Sequence, residues 1–412
     1  MYFELSKDVQ SEDIIKIGFC GDIDMTMGSR GWKGALLAVE QINSEGGILG
    51  KTIKLIVEDS DYEISGDIAV ASQAFTRLIT LDKVNFIIST DGDRAIGAYQ
   101  EISSQNQVIY FTLSGLLETW TQRVLDEYDK FKYFFRAFPS NSTAYFMNIA
   151  DSLDTLRDYS GFNKVGLLTI DLPSLEGLAN TLESVLEQNY GFEVSYIGLY
   201  PMETVDFSSY YANAEAAGTE ILVPITIFDD GIPLAKEWYD RQSPMVTWGL
   251  NPIVSDFDGW ESVEGKCEKM SLNAPAVTTG YPLTTQTLTF SNSFFDRWGD
   301  VPDGVAAAAY DSIRFILYDA INRVGTIETD SVIDSLEETH ITTSMAGNFV
   351  FTSSHDVMVG KNPNNPNDNY LFLLFFQWQN GKQVPVYPQK IMEEAGATYQ
   401  YPPWSGPWDA IE

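Results

Sequence analysis

The 412-residue chain has little cysteine and little histidine. Its two cysteines, Cys20 and Cys267, are too few to indicate a redox compartment, and we expect Cys20 to be a buried thiol rather than half of a disulfide. Its two histidines, His340 and His355, lie away from the turns that follow the predicted strands. A histidine-based zinc site or a Ser-His-Asp arrangement therefore has little support. We predict no catalytic residue, no metal and no cofactor.

Positive charge is also scarce. The chain has 25 Lys and Arg residues against 58 Asp and Glu residues, which gives a formal net charge of −33 at pH 7. A surface of this charge repels nucleic-acid phosphates and anionic lipid headgroups, so we expect neither as a partner. We interpret most of the acidity as a solvated surface that is adapted to salt or keeps the protein soluble.

No hydrophobic run is long enough to cross a membrane, which requires about 20 apolar residues. The longest run, YLFLLFF from Tyr370, predicts a buried strand. The first 13 residues, MYFELSKDVQSED, lack the apolar core of a secretory signal, and we expect them to form a flexible segment. Taken alone this suggests a cytoplasmic protein, but a chain that starts after a removed signal would look the same.

Strands and helices alternate along the chain. Residues 14–61 contain an apolar run, a turn with Asp22 and Asp24, a helical pattern that ends at Gly46 and Gly47, and a second apolar run. This order predicts two parallel strands with a crossover helix, and ligands of such sheets bind at the carboxyl ends of the strands. Further apolar runs of strand length occur at 84–89, 108–112, 164–170, 194–199, 220–226 and 245–248. The fold class is therefore predicted to be α/β.

The order of these elements predicts two lobes, because 412 residues exceed the usual size of one domain. Breaks in the pattern fall at 137–140 and at 271–282, and helices are predicted at 285–298 and 305–324. A polar loop at 361–369 then precedes a hairpin around Asn380 and Gly381. We expect two Rossmann-like lobes with parallel central sheets, joined by a three-strand hinge that permits closure. Their predicted limits are 14–138 plus 280–345 for lobe 1, and 139–279 plus 346–412 for lobe 2.

Several motifs resemble one known family, the type I periplasmic solute-binding proteins. This is the branched-chain amino acid and amide class of ABC importer receptors, similar to Leu/Ile/Val-binding proteins. The family pattern after the first strand is matched by Met27-Gly28, Gly34-Ala35, Ala38-Val39, Ile42-Asn43, Gly46-Gly47-Ile48 and Gly50. The likeness continues through RAFPSN at Arg136, KVGLLTIDLPSLEGLA at Lys164 and AAAAYDSIRFILYDAINRVG at Ala306. It covers nearly the whole chain.

The resemblance implies a binding protein rather than an enzyme. Such a receptor captures a small polar solute, an amino acid, amide or amine, in a cleft between two lobes, closes on it, and delivers it to an ABC transporter permease. The resemblance also implies an extracytoplasmic location, either periplasmic or at the cell surface with a membrane anchor. The ligand-sensing ectodomain of a membrane receptor remains an alternative with the same fold.

The resemblance also places the solute against loops at the strand ends of both lobes. The candidate contacts are Asp22, Asp24, Met25, Ser89, Thr90, Asp91, Asp93, Thr112 and Ser114 in lobe 1, and Ser174, Phe228, Asp229, Trp248, Asn251 and Tyr281 in lobe 2. Amino acid binders of the family hold the ligand carboxylate with hydroxyls and backbone N–H groups of lobe 1, and the ammonium with an acid of lobe 2. Here Ser89, Thr90, Thr112 and Ser114 match the first task, and Asp229 or Asp230 matches the second.

The acids of lobe 1 depart from the family pattern. Asp91 and Asp93 stand where small hydroxyl residues are usual, and two carboxylates would repel a ligand carboxylate unless Arg94 or a cation intervened. One hypothesis is a site for a cationic or neutral amine or amide, with Trp248, Phe228 or Tyr281 as an aromatic wall. The alternative is that some of these acids cap the helices that follow them, where Asp is favoured. The sequence leaves both open.

A rival from another class rests on the same turn. Asp22, Asp24 and Thr26 satisfy the D-x-D-x-T motif of haloacid dehalogenase-like phosphatases, in which the first Asp attacks phosphorus and the second acts as acid and base. Asp229 and Asp230 could then hold Mg²⁺. The match is five residues long in a chain rich in Asp, and it explains nothing after Gly28.

Overall fold

The structure is a computed structural model, and it describes residues 14–226, 229–256, 258–275, 281–345, 347–360, 370–371 and 373–404. The described strands are β1 Ile14–Gly21, β2 Thr52–Asp59, β3 Phe86–Ser89, β4 Ile109–Thr112, β5 Phe134–Arg136, β6 Lys164–Ile170, β7 Glu193–Tyr200, β8 Ile221–Ile225, β9 Val246–Gly249, β10 Ser271–Pro275, β11 His340–Ser344, β12 Gly347–Val350, β13 Leu373–Gln379 and β14 Lys382–Tyr387. Nearly every predicted strand is present, so the α/β fold class is confirmed.

Helices separate most of the parallel strands. They are α1 Thr26–Ser44, α2 Tyr62–Ser65, α3 Ile68–Thr80, α4 Asp93–Asn106, α5 Thr119–Asp126, α6 Tyr128–Phe131, α7 Ser142–Ser160, α8 Pro173–Val185, α9 Ser208–Ala216, α10 Gly231–Arg241, α11 Pro252–Ser255, α12 Gly259–Ser262, α13 Thr287–Trp298, α14 Gly304–Asp311, α15 Tyr318–Val324, α16 Thr329–Glu337 and α17 Gln389–Glu394. A π-helical turn, Ser312–Leu317, joins α14 to α15, and another, Leu186–Tyr190, extends α8. None of the helices in the described ranges is long and apolar enough to cross a membrane.

The chain divides into two compact units. Unit 1 is Met1–Asn141 with Thr284–Leu371, and unit 2 is Ser142–Leu283 with Phe372–Glu412. The chain therefore passes from one unit to the other three times. The sequence placed 346–412 in the second lobe, but the described residues 347–360 and 370–371 belong to unit 1. There β12 pairs with β11, and the ring of His355 stacks on Phe135 at 4.0 Å.

Unit 1 contains a five-stranded parallel sheet in the order β2-β1-β3-β4-β5. Its carboxyl edge is formed by the residues that follow Gly21, Ser89 and Thr112. Helix α1 ends as its sequence predicts, with Gly46 and Gly47 at positive φ angles of 108° and 81°. The β1 turn is therefore held at the sheet edge between a buried strand and a long helix.

Unit 2 contains a seven-stranded sheet in the order β14-β13-β10-β9-β8-β6-β7. β13 runs antiparallel to β10 and β14, and the other pairs are parallel. The hairpin predicted around Asn380 and Gly381 is present, and both residues have positive φ angles, 53° and 72°. The break predicted at 271–282 was wrong in its first part, because Ser271–Pro275 forms the strand β10 between β9 and β13.

The two cysteines are buried and free, and they belong to different units. Cys20 lies on β1 within the core of unit 1, beside the ring of Tyr99. Cys267 lies in the core of unit 2. The expectation of a buried Cys20 thiol is confirmed.

Candidate functional site

Asp22, the first acid of the β1 turn, is a structural carboxylate. It is 1% exposed, and its Oδ2 accepts hydrogen bonds from the backbone N–H groups of Glu63 and Ile64 at 3.0 and 3.1 Å. These N–H groups belong to the first turn of α2, where unpaired donors favour a negative charge. Asp22 therefore binds the start of α2 rather than the helix that follows it, α1, whose start has no side-chain cap. Its contact with a solute stays a prediction.

Asp91, at the carboxyl end of β3, is buried at 1% exposure. Its carboxylate accepts hydrogen bonds from Ser60 Oγ at 2.9 Å and from the Tyr99 hydroxyl at 2.5 Å, and Cys20 Sγ lies 4.0 Å away. Burial raises the pKa of Asp91 to about 7, although the bonds from Tyr99 and Ser60 oppose the increase. Burial also raises the pKa of the Cys20 thiol, and Asp91 adds to that increase. Asp91 faces this buried cluster, and its contact with a solute stays a prediction.

Asp93, the third acid, binds the loop that follows β4. Its Oδ2 accepts the N–H of Leu116 at 3.0 Å, and its Oδ1 accepts the N–H of Leu117 at 3.2 Å. The indole Nε1 of Trp120 donates to the same Oδ1 at 2.7 Å. Three donors therefore bind this half-buried carboxylate. Asp93 fixes the backbone of the strand-end loop, and its direct contact with a solute stays a prediction.

The predicted hydroxyls lie at the ends of β3 and β4. Ser89, Thr90 and Thr112 are 0%, 2% and 0% exposed, whereas Ser114 is half-buried. Ser89 Oγ accepts the N–H of Asp91 at 3.2 Å. Thr112 Oγ1 donates to the Ser114 carbonyl and accepts the Ser114 N–H, both at 3.3 Å. Ser89 and Thr112 thus fold the backbone of the loops, and Ser114 is the hydroxyl of this group that reaches the surface.

Asp24 and Met25 are exposed, whereas the predicted acids Asp22 and Asp91 are buried and Asp93 is half-buried. They connect β1 to α1, and no side-chain hydrogen bond caps the start of that helix. The close packing of this turn depends on Gly28, since a Cβ atom there would lie 2.0 Å from the carbonyl oxygen of Asp22. The turn therefore presents one carboxylate and one thioether at the sheet edge.

Trp248, predicted as an aromatic wall, lies in the core of unit 2. It is 1% exposed, its ring stacks on Phe375 at 5.0 Å, and its Nε1 donates to Ser152 Oγ at 2.7 Å. A buried indole needs such a partner for its N–H group. Trp248 therefore packs within unit 2 against Phe375 and Ser152. Its contact with a solute stays a prediction.

Asn251 is also structural. It is 0% exposed, its Nδ2 donates to the Gly231 carbonyl at 2.9 Å, and its Oδ1 accepts the N–H of Val254 at 3.2 Å. It therefore caps α11, and its contact with a solute stays a prediction. Asp230 is buried and accepts a hydrogen bond from the Tyr200 hydroxyl.

Two predicted residues of unit 2 remain accessible. Asp229 is exposed where α10 begins, and Tyr281 is half-buried. Phe228 and the side chain of Ser174 lie outside the described part of the structure. Asp229 is therefore the one described acid of the predicted unit 2 set that faces solvent.

The geometry gives the phosphatase alternative no support. A nucleophilic Asp22 would need a free carboxylate oxygen at the surface, but Oδ2 is bonded to two backbone N–H groups and Oδ1 is buried. The described residues also contain no group of three or more His, Cys, Asp or Glu side chains placed to hold a metal ion.

Arg136 is a residue of this region to which the sequence assigned no role. It ends β5, is 0% exposed, and donates from Nη1 to the Gly115 carbonyl at 2.9 Å and from Nη2 to the Leu117 carbonyl at 2.7 Å. Its place in the RAFPSN motif marked it as part of the resemblance. The motif alone does not predict that the guanidinium is buried or that it donates to two backbone carbonyl groups.

Comparison with known proteins decides the family. A model of the periplasmic binding protein family matches residues 15–361. The chain belongs to the periplasmic binding protein family. This periplasmic binding protein is 26% identical over 391 residues to Leu/Ile/Val-binding protein homolog 7 of Brucella abortus, with 91% of each chain covered. It is 24% identical over 381 residues to homolog 8 of Brucella melitensis, with 88% of this chain and 87% of the relative covered.

Solved structures agree on the fold. A Silicibacter pomeroyi protein described as a branched-chain amino acid ABC transporter has a TM-score of 0.82 and 18% identity, with 95% of this chain and 100% of that chain covered. The branched-chain amino acid transporter substrate-binding protein of Streptococcus pneumoniae, in complex with isoleucine, has a TM-score of 0.70 and 18% identity, with coverage of 90% and 97%. The resemblance seen in the sequence is confirmed, and neither alternative function has support among these proteins.

Proposed function

We propose that this periplasmic binding protein is the extracytoplasmic solute receptor of an ABC importer and passes a small solute to the transporter permease. The observation that carries the proposal is the family match over residues 15–361, which includes most of both units. The names of the relatives support it, since they are Leu/Ile/Val-binding proteins. No catalytic step is needed for this role.

We further propose an amino acid as the first solute class to test. The burial of Asp22 and Asp91 and the internal hydrogen bonds of Asp93 support this choice, because donors within unit 1 already occupy these carboxylates and leave fewer free carboxylate oxygens to bind a cation. Two solved structures of this fold, from Streptococcus pneumoniae and Desulfitobacterium hafniense, hold isoleucine and leucine. A third, from R. palustris, holds benzoate, so an acid without an ammonium group belongs in the same test.

The proposed contacts are those predicted residues that the structure leaves accessible. In unit 1 the Ser114 hydroxyl is proposed to bind the carboxylate, with Met25 against the apolar side chain and Asp24 at the rim. In unit 2 Asp229 is proposed to bind the ammonium group, and Tyr281 is proposed as an aromatic wall of the site. Ser174 and Phe228 stay predictions. Thr90, at 2% exposure, is proposed to support the loop rather than touch the solute.

Thermal-shift assays with the purified protein test this function. The panel contains the amino acids, their amides, polyamines and benzoate, each at millimolar concentration. A bound compound present at a hundred times its Kd should stabilise the folded protein by about 2.7 kcal/mol. Ser114→Ala and Asp229→Asn should then reduce the shift given by the best compound. If no compound of the panel raises the melting temperature, the proposal fails.

A further inference from the structure

The β4 loop, residues 113–117, is held from two sides by ionic side chains of unit 1. Asp93 accepts the N–H groups of Leu116 and Leu117. Arg136 donates to the carbonyl groups of Gly115 and Leu117. Backbone polar groups in an irregular loop are usually paired with water, so side-chain partners for four of them make this loop unusually well fixed.

Two further observations show that the loop is built for one conformation. Gly115 has a φ angle of 91°, and a Cβ atom there would lie 2.4 Å from Ile96. Ser140 Oγ donates to the Gly115 carbonyl at 2.7 Å, so that one oxygen accepts bonds from both Ser140 and Arg136. Another loop conformation would leave the buried guanidinium of Arg136 without its acceptors, which costs free energy.

The guanidinium of Arg136 is also linked, through Asp356, to Asn141, where the chain first leaves unit 1. Arg136 Nε lies 3.5 Å from Asp356 Oδ1, and both side chains are buried. Asp356 Oδ2 also accepts hydrogen bonds from Asn141 Nδ2 at 2.7 Å and from Thr121 Oγ1 at 3.4 Å. Asn141 is the last residue of unit 1 before the chain enters unit 2.

We infer that Asp93 and Arg136 are positioning residues for solute binding, and that they hold the β4 loop so that Ser114 presents its hydroxyl and backbone to the solute carboxylate. This inference rests on the proposed function. Neither residue touches the solute. Their contribution to affinity is the preorganisation of the loop, which removes the cost of ordering it at the moment of binding. Through Asp356 the same contacts fix the segment at Asn141.

The test compares Asp93→Asn and Arg136→Lys with a matched control, Glu328→Gln. Glu328 also accepts two backbone N–H groups, those of Asp330 and Ser331, but at the start of α16 in a different part of unit 1. In both Asp93→Asn and Glu328→Gln, a neutral amide replaces a carboxylate that accepts two backbone N–H groups. Lys at 136 keeps the charge next to Asp356 but cannot reach two carbonyl groups as a planar fork does.

Two measurements are made on each variant at a temperature where all are folded. Calorimetric titration gives the Kd for L-leucine, or for the compound of the panel with the largest thermal shift if L-leucine gives none. Hydrogen exchange followed by mass spectrometry gives the protection of a peptide that covers residues 113–118. We expect Asp93→Asn and Arg136→Lys to raise the Kd about tenfold and to speed exchange in this peptide, whereas Glu328→Gln changes both less than twofold.

The outcomes separate the inference from the proposed function. If the unmodified protein binds no compound of the panel, the proposed function fails and the inference fails with it. If the unmodified protein binds and the two variants bind equally well, or lose affinity no more than Glu328→Gln does, the inference alone is overturned. Loss of affinity together with loss of protection at 113–118, while exchange in peptides of unit 2 stays unchanged, supports it, because a general loss of stability would also speed exchange in unit 2.

Discussion

Acidic residues of the same type serve different purposes at the edge of the unit 1 sheet. Asp22 caps a short helix, Asp91 is buried with Tyr99, and Asp24 is exposed. The chemistry of an aspartate is the same in each case, and the surroundings decide whether it is available to a solute. Fewer free carboxylates are therefore available to a solute than a count of acids in the turns suggests.

Asp91 makes the stability of the protein depend on pH. Its pKa in the folded protein, about 7, is above the ordinary value of 3.8, so the folded state binds this proton more strongly than the unfolded state. The contribution to stability is complete below about pH 4 and is lost as the pH rises through 7. We expect Asp91→Asn to remove this loss. The unfolding free energy of the variant should therefore rise relative to that of the unmodified protein between pH 4 and pH 8.

The gain is of the order of 4 kcal/mol, at about 1.4 kcal/mol per unit of difference between the two pKa values. Urea unfolding of both proteins at pH 5 and at pH 8 measures about 3 kcal/mol of this gain, because only the interval from pH 5 to the folded pKa of about 7 is sampled. A difference in unfolding free energy that is the same at both pH values would show that Asp91 is ionised in the folded protein at low pH, contrary to the expectation.

Glycine decides the packing between α1 and α14. A Cβ atom on Gly34 would lie 2.1 Å from the Ala306 carbonyl oxygen, whereas one on Gly177 in α8 would have nothing within 4 Å. We expect Gly34→Ala to lower the unfolding free energy by about 1–3 kcal/mol, because two helices must separate. Gly177→Ala should instead raise it by about 0.5–1 kcal/mol, because alanine is the better helix former.

The melting temperatures of Gly34→Ala and Gly177→Ala, measured in parallel, check both expectations. Both replace a helical glycine with alanine, so backbone entropy changes in the same direction and only the local space differs. Equal shifts of the melting temperature in the two variants would contradict close packing at Gly34.

Elements that carry their own signal were predicted well from the sequence. β1 and β2 are apolar runs with a helix period between them, and Asn380-Gly381 is a turn pair whose positive φ angles suit a two-residue hairpin loop. β10 was missed because Asn273 and Pro275 are turn residues in most sequences. Its strand conformation comes from partners on both sides, β9 and β13, which are distant along the chain.

Net charge acts on the protein as a unit. At −33 the folded chain repels itself, and salt screens this repulsion because the Debye length falls from about 30 Å at 0.01 M to about 3 Å at 1 M. We expect the melting temperature at pH 7 to rise by several degrees between 10 mM and 500 mM NaCl. The same titration at pH 5, closer to the sequence pI of about 4.2, should give a smaller rise. A melting temperature that is independent of salt at pH 7 would refute this.

The amino-acid sequence was sufficient for the fold class, the family and most strand and helix positions, because hydrophobic periodicity and turn residues act over a few neighbours. Local patterns did not determine which side chains are available to a solute. Asp22 meets Glu63, Asp93 meets Leu117, and Trp248 meets Ser152 across intervals that no local pattern spans. Burial and hydrogen-bond partners are properties of the folded chain, so folding decided which of the predicted side chains remain free for a solute.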